Sequence, residues 1–491
     1  MKRVLWALAL FGLLVLGGAA VWMGGLNQDE GWYLYAASLV SEGRLPYRDF
    51  AYTQGPLMPV VYAAFAWVWR SWGLLGARLF TLLIGVASVA MAALLAGRLV
   101  SERSRGKAAL TTVFLLGCNL YHLYYVTIPK TYALAGLFVT LGFYLLAVAT
   151  AGRWRMAVLS GLALAFAAGT RISLGALLAV VGMWLLCRRN WHTLACFCAG
   201  GFLGLALVYG PFLLVPGARE GLVAAQAYHA ARGGFDIVWL VGSLSRLVRW
   251  YLPVFIVLGL GLVNVCVQRS RNENMLLIFG FLAVFGVQML APFPYEDYQV
   301  PVMGLLAVYA ATAIAERNPS HENPHWRVPS RMALVMVAGL AYATAFGSPL
   351  LEQWKTNGAD RFWSLKKPKT ELAQLRDVAR RIEALDPGGR ELLTQDLYLA
   401  VETNRRVPKG LEMGPFSILD DAAWRALIGS APCALAALSG YTFAIDPPVC
   451  TERPVEQQME YWCLLKDRYR LVEREEDFGQ NSTTLLILKR K

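Results

Sequence analysis

Charged side chains are scarce in this sequence. Asp, Glu, Lys and Arg together make up 16% of its 491 residues, where soluble domains carry about 25%. Hydrophobic residues reach 57%, and mean hydropathy is +0.45. So little charge excludes an ordinary soluble globular protein, and so much apolar content excludes a disordered one. Repeats and low-complexity stretches are absent, which removes collagen-like chains. Cysteine, at 8 residues, is too sparse for a disulfide scaffold. Metal-binding residue types also miss metal-binding spacings. Cys196 and Cys198 are two apart, and neither His122 nor His229 has a second ligand at useful spacing. A polytopic membrane protein with a soluble appendage is what remains.

Acid is scarcest where the chain is most apolar. Residues 1–350 hold 12 Asp and Glu against 25 Lys and Arg, whereas residues 351–491 hold 21 of each. The whole formal net charge of +13 therefore belongs to the hydrophobic part. There it reads as membrane orientation rather than as a surface for nucleic acid.

A spanning helix needs about 20 apolar residues. Apolar runs occur at 4–22, 74–98, 107–126, 131–150, 157–170, 172–187, 193–215, 248–267, 275–292, 299–315 and 332–350. A cleaved signal peptide is the competing reading of the first run, because Lys2 and Arg3 precede it and small residues lie near Gly17–Ala20. Its length, and the spans that follow, favour a retained helix with a cytoplasmic N-terminus. Basic residues cluster at Arg98/Arg103/Arg105/Lys107, Arg153/Arg155, Arg188/Arg189, Arg269/Arg271 and Arg317/Arg327/Arg331. With eleven crossings all of these clusters fall on the cytoplasmic side, as the positive-inside rule requires. Two choices preserve that parity. Pro56–Trp69 is read as an interfacial helix on the outer surface, and 157–187 as two short helices meeting near Thr170–Arg171. Fourteen helical residues reach only about 21 Å, so that pair needs a thinned membrane or shielding neighbours.

The expected fold is a polytopic α-helical membrane protein of about 11 transmembrane helices. Residues 1–350 form the membrane part, with a long first outer loop at 25–73. Residues 351–491 form a C-terminal extracytoplasmic mixed α/β domain. Within it, Leu372, Leu375, Val378 and Ile382 line one face of a helix over Thr370–Leu385. Glu391–Thr394 and Thr484–Leu488 read as short strands, and Thr394–Asp396 and Gly410–Met413 as strand ends and turns. Cys118, Cys187, Cys196, Cys198 and Cys266 lie in or beside spans as buried thiols. Cys433, Cys450 and Cys463 fall in the outer domain. An oxidising compartment permits one disulfide there, Cys433–Cys450 being the pair expected, with one thiol left over.

The first outer loop concentrates the chemistry. Asn27-Gln28-Asp29-Glu30 puts an acid pair just past the first span. Trp32, Tyr35 or Ala36, and Leu39 or Val40 then recur at helical spacing, which suggests a short helix with an apolar stripe lying on the membrane. Arg44 and Arg48 follow, then Tyr52-Thr53-Gln54-Gly55-Pro56-Leu57. Acids in such a place are also readable as solvated loop charges, and Trp and Tyr are enriched at interfaces in any case.

Loop and topology together resemble the GT-C superfamily of polytopic glycosyltransferases, in particular bacterial relatives of protein O-mannosyltransferases and lipid A aminoarabinose transferases. The residues that carry the resemblance are Asp29-Glu30, the helix at 31–43, Gln54-Gly55-Pro56-Leu57, Gly73 and Ala77-Arg78. Weaker echoes lie at Gly169-Thr170-Arg171 and Tyr295–Pro301. Two departures stand out. Many relatives place a second acid in the second outer loop, where this chain has Thr127-Ile128-Pro129-Lys130-Thr131. Some have a basic residue before the turn proline, where this chain has Gly55. Both speak against carrying over a two-acid metal site or the aminoarabinose activity itself.

The resemblance implies an enzyme of the bacterial inner membrane. It would take a hexosyl or pentosyl group from a polyprenyl-phosphate carrier and move it, with inversion, to a glycan, lipid or protein acceptor on the outer face. Asp29 is then the base that takes the acceptor hydroxyl's proton, with Glu30 assisting or binding acceptor. A carboxyl to protonate the departing phosphate is not required, unlike in a glycosidase. Charge developing on the phosphate calls for cations. Arg44, Arg48, Lys130 and Arg171 all map near the outer face. Arg171, between two short helices, is costly without a partner, be it a ligand or a structural contact. Glu296 and Tyr298 in the fourth outer loop are candidates for sugar contacts, or else belong to an interfacial belt. No cofactor is required by this reading, and dependence on a divalent metal stays open. Membrane lipids are the surroundings, and no nucleic-acid partner is expected. The alternative is a transporter or flippase of lipid-linked sugars without bond chemistry. That would favour midplane charges and paired halves, and no paired halves are visible. A structural partner in envelope assembly is the third reading.

Overall fold

A computed structural model describes residues 2–230, 236–267, 274–291, 294–315, 368–417, 421–439, 455–480 and 482–491. Up to residue 315 the chain is helical: α1 (Lys2–Met23), α2 (Gln28–Ser41), α3 (Leu57–Ala63), α4 (Ala66–Arg98), α5 (Glu102–Gly117), α6 (Leu120–Tyr125), α7 (Thr131–Thr150), α8 (Met156–Thr170), α9 (Ala176–Cys187), α10 (Trp191–Leu214), α11 (Ala218–Ala230), α12 (Ile237–Trp250), α13 (Leu252–Val267), α14 (Met275–Met289) and α15 (Val300–Ala315). Each apolar run expected to span, apart from 332–350, contains one of these helices. That last run lies outside the described residues, as do Arg269, Arg271, Arg317, Arg327 and Arg331. Among the described residues α1, α4, α7, α10 and α15 with its preceding turn are long and apolar enough to cross a membrane, and α12 with α13 makes a further candidate bent by 76°. The chain is a multi-pass membrane protein.

The helix breaks have local causes. The run 107–126 is two helices, because α5 stops at Gly117 and Asn119 starts α6 by accepting the His122 amide at 3.0 Å. The run 248–267 begins only at Leu252, since Pro253 cannot donate to the carbonyl four residues back. The chain turns there, and α12 before it starts on its own cap, Asp236, which accepts the amides of Val238 and Trp239. Between α8 and α9 the backbone of Arg171 is extended (φ −145°, ψ 114°) and a 3-10 turn at Ile172–Gly175 follows. The two-helix reading of 157–187 is what forms. Glycines bring α8 and α10 into backbone contact. A Cβ on Gly161 would lie 2.1 Å from the Phe197 carbonyl oxygen.

Pro56–Trp69 forms α3 and the start of α4, with the spanning part of α4 beginning at Leu74. Gly73 makes the corner (φ 61°, ψ −152°), a conformation closed to residues with a side chain. Glu402 accepts the Leu74 amide at 2.7 Å and so caps the span behind the corner.

Beyond residue 367 a helix at Glu371–Leu385 is capped by Thr370, and its Leu372, Leu375, Val378 and Ile382 are fully buried. Burying each such side chain is worth about 1.5–3 kcal/mol. Three antiparallel strands, β1 (Leu435–Ser439), β2 (Tyr469–Phe478) and β3 (Thr483–Arg490), stand in the order β1-β3-β2. Ala437 pairs with Ile487, and Leu471 with Leu488. The strand expected at Glu391–Thr394 is reduced to isolated bridges, Glu391 to Arg406 and Leu393 to Ala436. Cys433 is a free, buried thiol, pushed up to about 12 by burial and by Glu391. Its expected partner Cys450 lies outside the described residues.

One expectation is overturned here. α2 has no exposed apolar stripe with which to lie on a membrane. Gln28, Glu30 to Ala37 and Leu39 are all buried, because α3 and the C-terminal part both pack directly on this helix. Gly31 permits the approach: a Cβ there would lie 2.1 Å from the Tyr398 amide nitrogen. The Tyr35 hydroxyl accepts the Val407 amide at 2.9 Å, and Glu371 accepts the Leu26 amide at 2.6 Å. The segment 25–73 and the C-terminal residues share one continuous hydrophobic core, from Leu26 and Trp32 to Leu397 and Leu488.

Candidate functional site

An elbow fixes the entry to the site. Asn27 caps α2: its side chain accepts the Asp29 amide at 3.0 Å, while the Glu30 carboxylate accepts the Asn27 amide at 2.9 Å, a capping box. Behind it, Arg78 from α4 donates to both Glu30 oxygens (2.6 and 2.9 Å) and to the carbonyls of Val21, Gly24 and Gly25 that α1 leaves unpaired. Arg78 and Glu30 are both fully buried. The Ala77-Arg78 pair singled out in the sequence thus ties α1, α2 and α4 together.

With the elbow held, Asp29 faces a cavity of about 200 Å³. Its walls come from distant segments. Asn27, Gln28, Trp32 and Tyr33 belong to α2 and its cap, and Thr53 and Gln54 to the turn before Pro56. Lys130 and Tyr132 come from the cap and first turn of α7, and Arg171 from the end of α8. Tyr295, Asp297 and Tyr298 lie before α15, and Met413, Phe416 and Gln480 come from the C-terminal part. Lys130, extended at the start of α7, sets its ammonium 2.8 Å from Asp29 Oδ2 and 2.7 Å from Asp297 Oδ2. The Tyr132 hydroxyl donates to that same Asp297 oxygen at 2.8 Å. The rings of Tyr132 and Tyr125 lie 4.7 and 5.4 Å from the ammonium.

Arg171 is held differently. Its guanidinium lies 4.3 Å over the Tyr298 ring and 5.2 Å from that of Tyr132, and among the described residues no carboxylate is within ion-pair distance of it. Burial, reinforced by Asp29, pushes the Tyr33 phenol well above its ordinary range, so it stays a neutral hydroxyl. Behind the pocket, Gln28 donates to Asp396 at 2.8 Å, and Asp396 also accepts from Tyr398.

Of the residues expected from sequence, Asp29, Lys130, Arg171 and Tyr298 converge on this cavity. Glu30 does not: fully buried, with both oxygens taken by Arg78, it cannot reach substrate. Glu296 is turned away to Arg246, 2.9 Å off. Arg48 is 42% exposed and pairs with Asp49, whose carboxyl it holds down at about 2. Arg44 is half-buried outside the walls. The residue missed is Asp297, adjacent to Glu296 in a single 3-10 turn. Its pairing with Lys130 spans 167 residues, and no sequence spacing announces it. The C-terminal wall was missed too, since Met413, Phe416 and Gln480 belong to no motif.

No protein-family model matches the sequence, and no curated protein matches it. Solved structures do. ArnT from Cupriavidus metallidurans bound to undecaprenyl phosphate superposes with a TM-score of 0.65 at 16% identity, over 99% of this chain and 97% of that one. The fold is GT-C. The Archaeoglobus fulgidus oligosaccharyltransferase shares it at 12% identity. Its complex with Zn and sulfate gives a TM-score of 0.52, over 88% of this chain and 68% of that one. Its complex with an inhibitory peptide and a dolichol-phosphate gives 0.51, over 88% and 69%. Identities this low are a likeness of fold. In this chain the loop before α7 contributes a lysine to the cavity, Lys130, with carboxylates on either side of it.

Proposed function

We propose that this protein is an inverting glycosyltransferase that moves a sugar from a polyprenyl-phosphate carrier to an acceptor hydroxyl on the outer face of the bacterial inner membrane. One observation carries the reading. A single cavity holds a carboxylate, Asp29, and a guanidinium, Arg171, that makes no direct ion pair among the described residues and leaves its donors open to a ligand. Undecaprenyl phosphate bound to ArnT, of the same fold, supports a lipid-linked donor. The basic clusters at Arg98–Lys107, Arg153/Arg155 and Arg188/Arg189 support a cytoplasmic N-terminus, with residues 351–491 outside.

In the reaction the acceptor oxygen attacks the anomeric carbon from the face opposite the phosphate. The carbon–oxygen bond to phosphate breaks, and its electron pair stays on the phosphate oxygen. Asp29 takes the acceptor's proton. The carrier passes from a phosphodiester of charge about −1 to a phosphomonoester approaching −2. Arg171 meets that growing charge, and its planar fork suits two phosphate oxygens at once. Trp32, Tyr298 and Phe416 offer flat apolar faces to the sugar.

A divalent metal does not fit these residues. The two carboxylates of the cavity are bridged by Lys130, and among the described residues no three His, Cys, Asp or Glu side chains gather closely enough to hold an ion. No step is therefore routed through one.

The test uses purified full-length protein, labelled polyprenyl-phosphate sugar and extracted envelope glycans as acceptor. Free polyprenyl phosphate and a labelled product are expected together. Asp29→Asn should lower the rate by about 10³-fold with expression and membrane insertion unchanged. Full activity in that variant removes Asp29 as base. Carriage of the lipid across vesicles without bond cleavage would favour a flippase.

A further inference from the structure

The reactive cavity carries its own cation. Lys130 Nζ lies within 2.8 Å of one carboxylate oxygen of Asp29 and one of Asp297, with its side chain only 6% exposed. Aromatic rings flank it, and a tyrosine hydroxyl shares the Asp297 oxygen. A surface lysine is a flexible, hydrated point charge. This one is desolvated, ringed and doubly paired. The charges in the cavity also balance without help: Asp29 and Asp297 against Lys130 and Arg171. The neighbouring acids are already matched, Glu30 by Arg78 and Glu296 by Arg246. A divalent cation binds carboxylate oxygens at about 2.0–2.6 Å. To bridge Asp29 and Asp297 it would have to take the place of the ammonium, and it would then stand against a displaced, buried positive charge.

We propose that Lys130 is the resident cation of this active site, doing through a covalently tethered ammonium what a bound divalent ion does elsewhere. It is a positioning residue. By holding Oδ2 of Asp29 it fixes the carboxylate, leaving the other oxygen to receive the acceptor's proton. By pairing with Asp297 it is itself fixed. It also places a positive charge in the cavity where negative charge develops on the leaving phosphate. The consequence is glycosyl transfer that needs no divalent metal. This inference rests on the glycosyl-transfer reading, and its test separates the two.

The measurements use full-length, chelator-treated protein in detergent. Carrier release is followed in EDTA and in Mn2+, and Mn2+ binding is followed separately by electron paramagnetic resonance without substrate. Wild-type rates are expected to agree within about twofold in EDTA and in Mn2+, and wild-type Mn2+ binding should be insensitive to Asp29→Asn. Lys130→Asp replaces the tethered cation by a further ligand. It should lose roughly 100-fold in EDTA, recover at least about tenfold of that in Mn2+, and gain a Mn2+ site that Asp29→Asn abolishes. Lys130→Ala should lose a similar factor in EDTA.

A wild-type rate that falls tenfold in EDTA and returns with Mn2+ overturns the proposal. So does a wild-type Mn2+ site that disappears in Asp29→Asn. Both of these use wild type or a conservative variant, so they decide the matter even where Lys130→Asp does not fold. A wild type that releases no carrier under any condition defeats the transfer reading instead, and the Mn2+ titration still reports whether the cavity takes a divalent ion.

Discussion

Arg171 is the side chain whose surroundings most need explaining. A guanidinium near the end of two short membrane helices is costly unless something offsets its charge, and here the nearest offset is a pair of tyrosine faces. Cation–π contact contributes about 0.5–2 kcal/mol, less than a buried carboxylate would. On the proposed function, the phosphate of the donor would make up the difference. Arg171→Ala is therefore expected to lower kcat/KM by about 10- to 100-fold, the worth of a hydrogen bond to a charged group, with little effect on thermal stability. Arg171→Lys should recover only part, because an ammonium cannot lie flat on Tyr298 and grip two oxygens together. At this scale the sequence was legible where chemistry is local. Asp29 follows the first span directly, and Arg171 sits at the junction that charge parity demands. The choice between Glu296 and Asp297 depended on which way one turn faces. Arg246 on α12 takes the former and Lys130 at the start of α7 the latter, and both partners are remote in sequence.

The α1–α2 elbow is where a helix geometry becomes a site. Arg78 pairs with Glu30 and closes the open carbonyl end of α1 in one gesture, with no solvent on either side chain. Removing one partner of a buried pair leaves the other uncompensated, at a cost of about 3–5 kcal/mol. Arg78→Met should lower the thermal midpoint accordingly and, since Asp29 loses its fixed start of helix, lower transfer too. Glu30→Gln should cost a comparable amount, because one carbonyl oxygen can still accept from Arg78 and from the Asn27 amide but the buried guanidinium loses its counter-charge. A Glu30→Gln protein that is inactive yet as stable as wild type would contradict this assignment of Glu30. The Gly73 corner makes a simpler case. Gly73→Ala meets both a positive φ and the Glu402 carboxylate, 2.2 Å from its Cβ, and should cost more than about 1 kcal/mol in thermal unfolding. Periodicity and charge parity exposed the helices and the break at Thr170–Arg171. They could not expose the full burial of α2, because part of what covers it, from Glu371 to Val407, lies more than 340 positions later.

Across the whole molecule, the C-terminal part is a wall of the site rather than an appendage. It shares a core with the segment 25–73, and Met413, Phe416 and Gln480 border the cavity. Gly31→Val tests that union, since any Cβ at residue 31 collides with the backbone at Tyr398. The variant should release the C-terminal part to limited proteolysis and lower transfer by about tenfold or more, while the membrane helices stay intact. Cysteine chemistry offers an independent check on how closed this part is. Iodoacetamide at pH 8 should label the exposed Cys463 and spare Cys433 until denaturant is added, as read by peptide mass spectrometry. Composition foresaw a mixed helix and strand region here, with the helix at Glu371–Leu385 correct to its cap. Its place on the reactive loop had no sequence signature, because the shared core is assembled from unpatterned apolar residues on both sides.

That shared core also orders events in time. A ribosome delivers Asp29 about 450 residues before Gln480. Membrane insertion of α1 to α15 is thus under way while the cavity still lacks a side. A chain made only as far as α15 presents Asp29 to an open surface, and the cavity gains its remaining walls only when Met413, Phe416 and Gln480 reach α2.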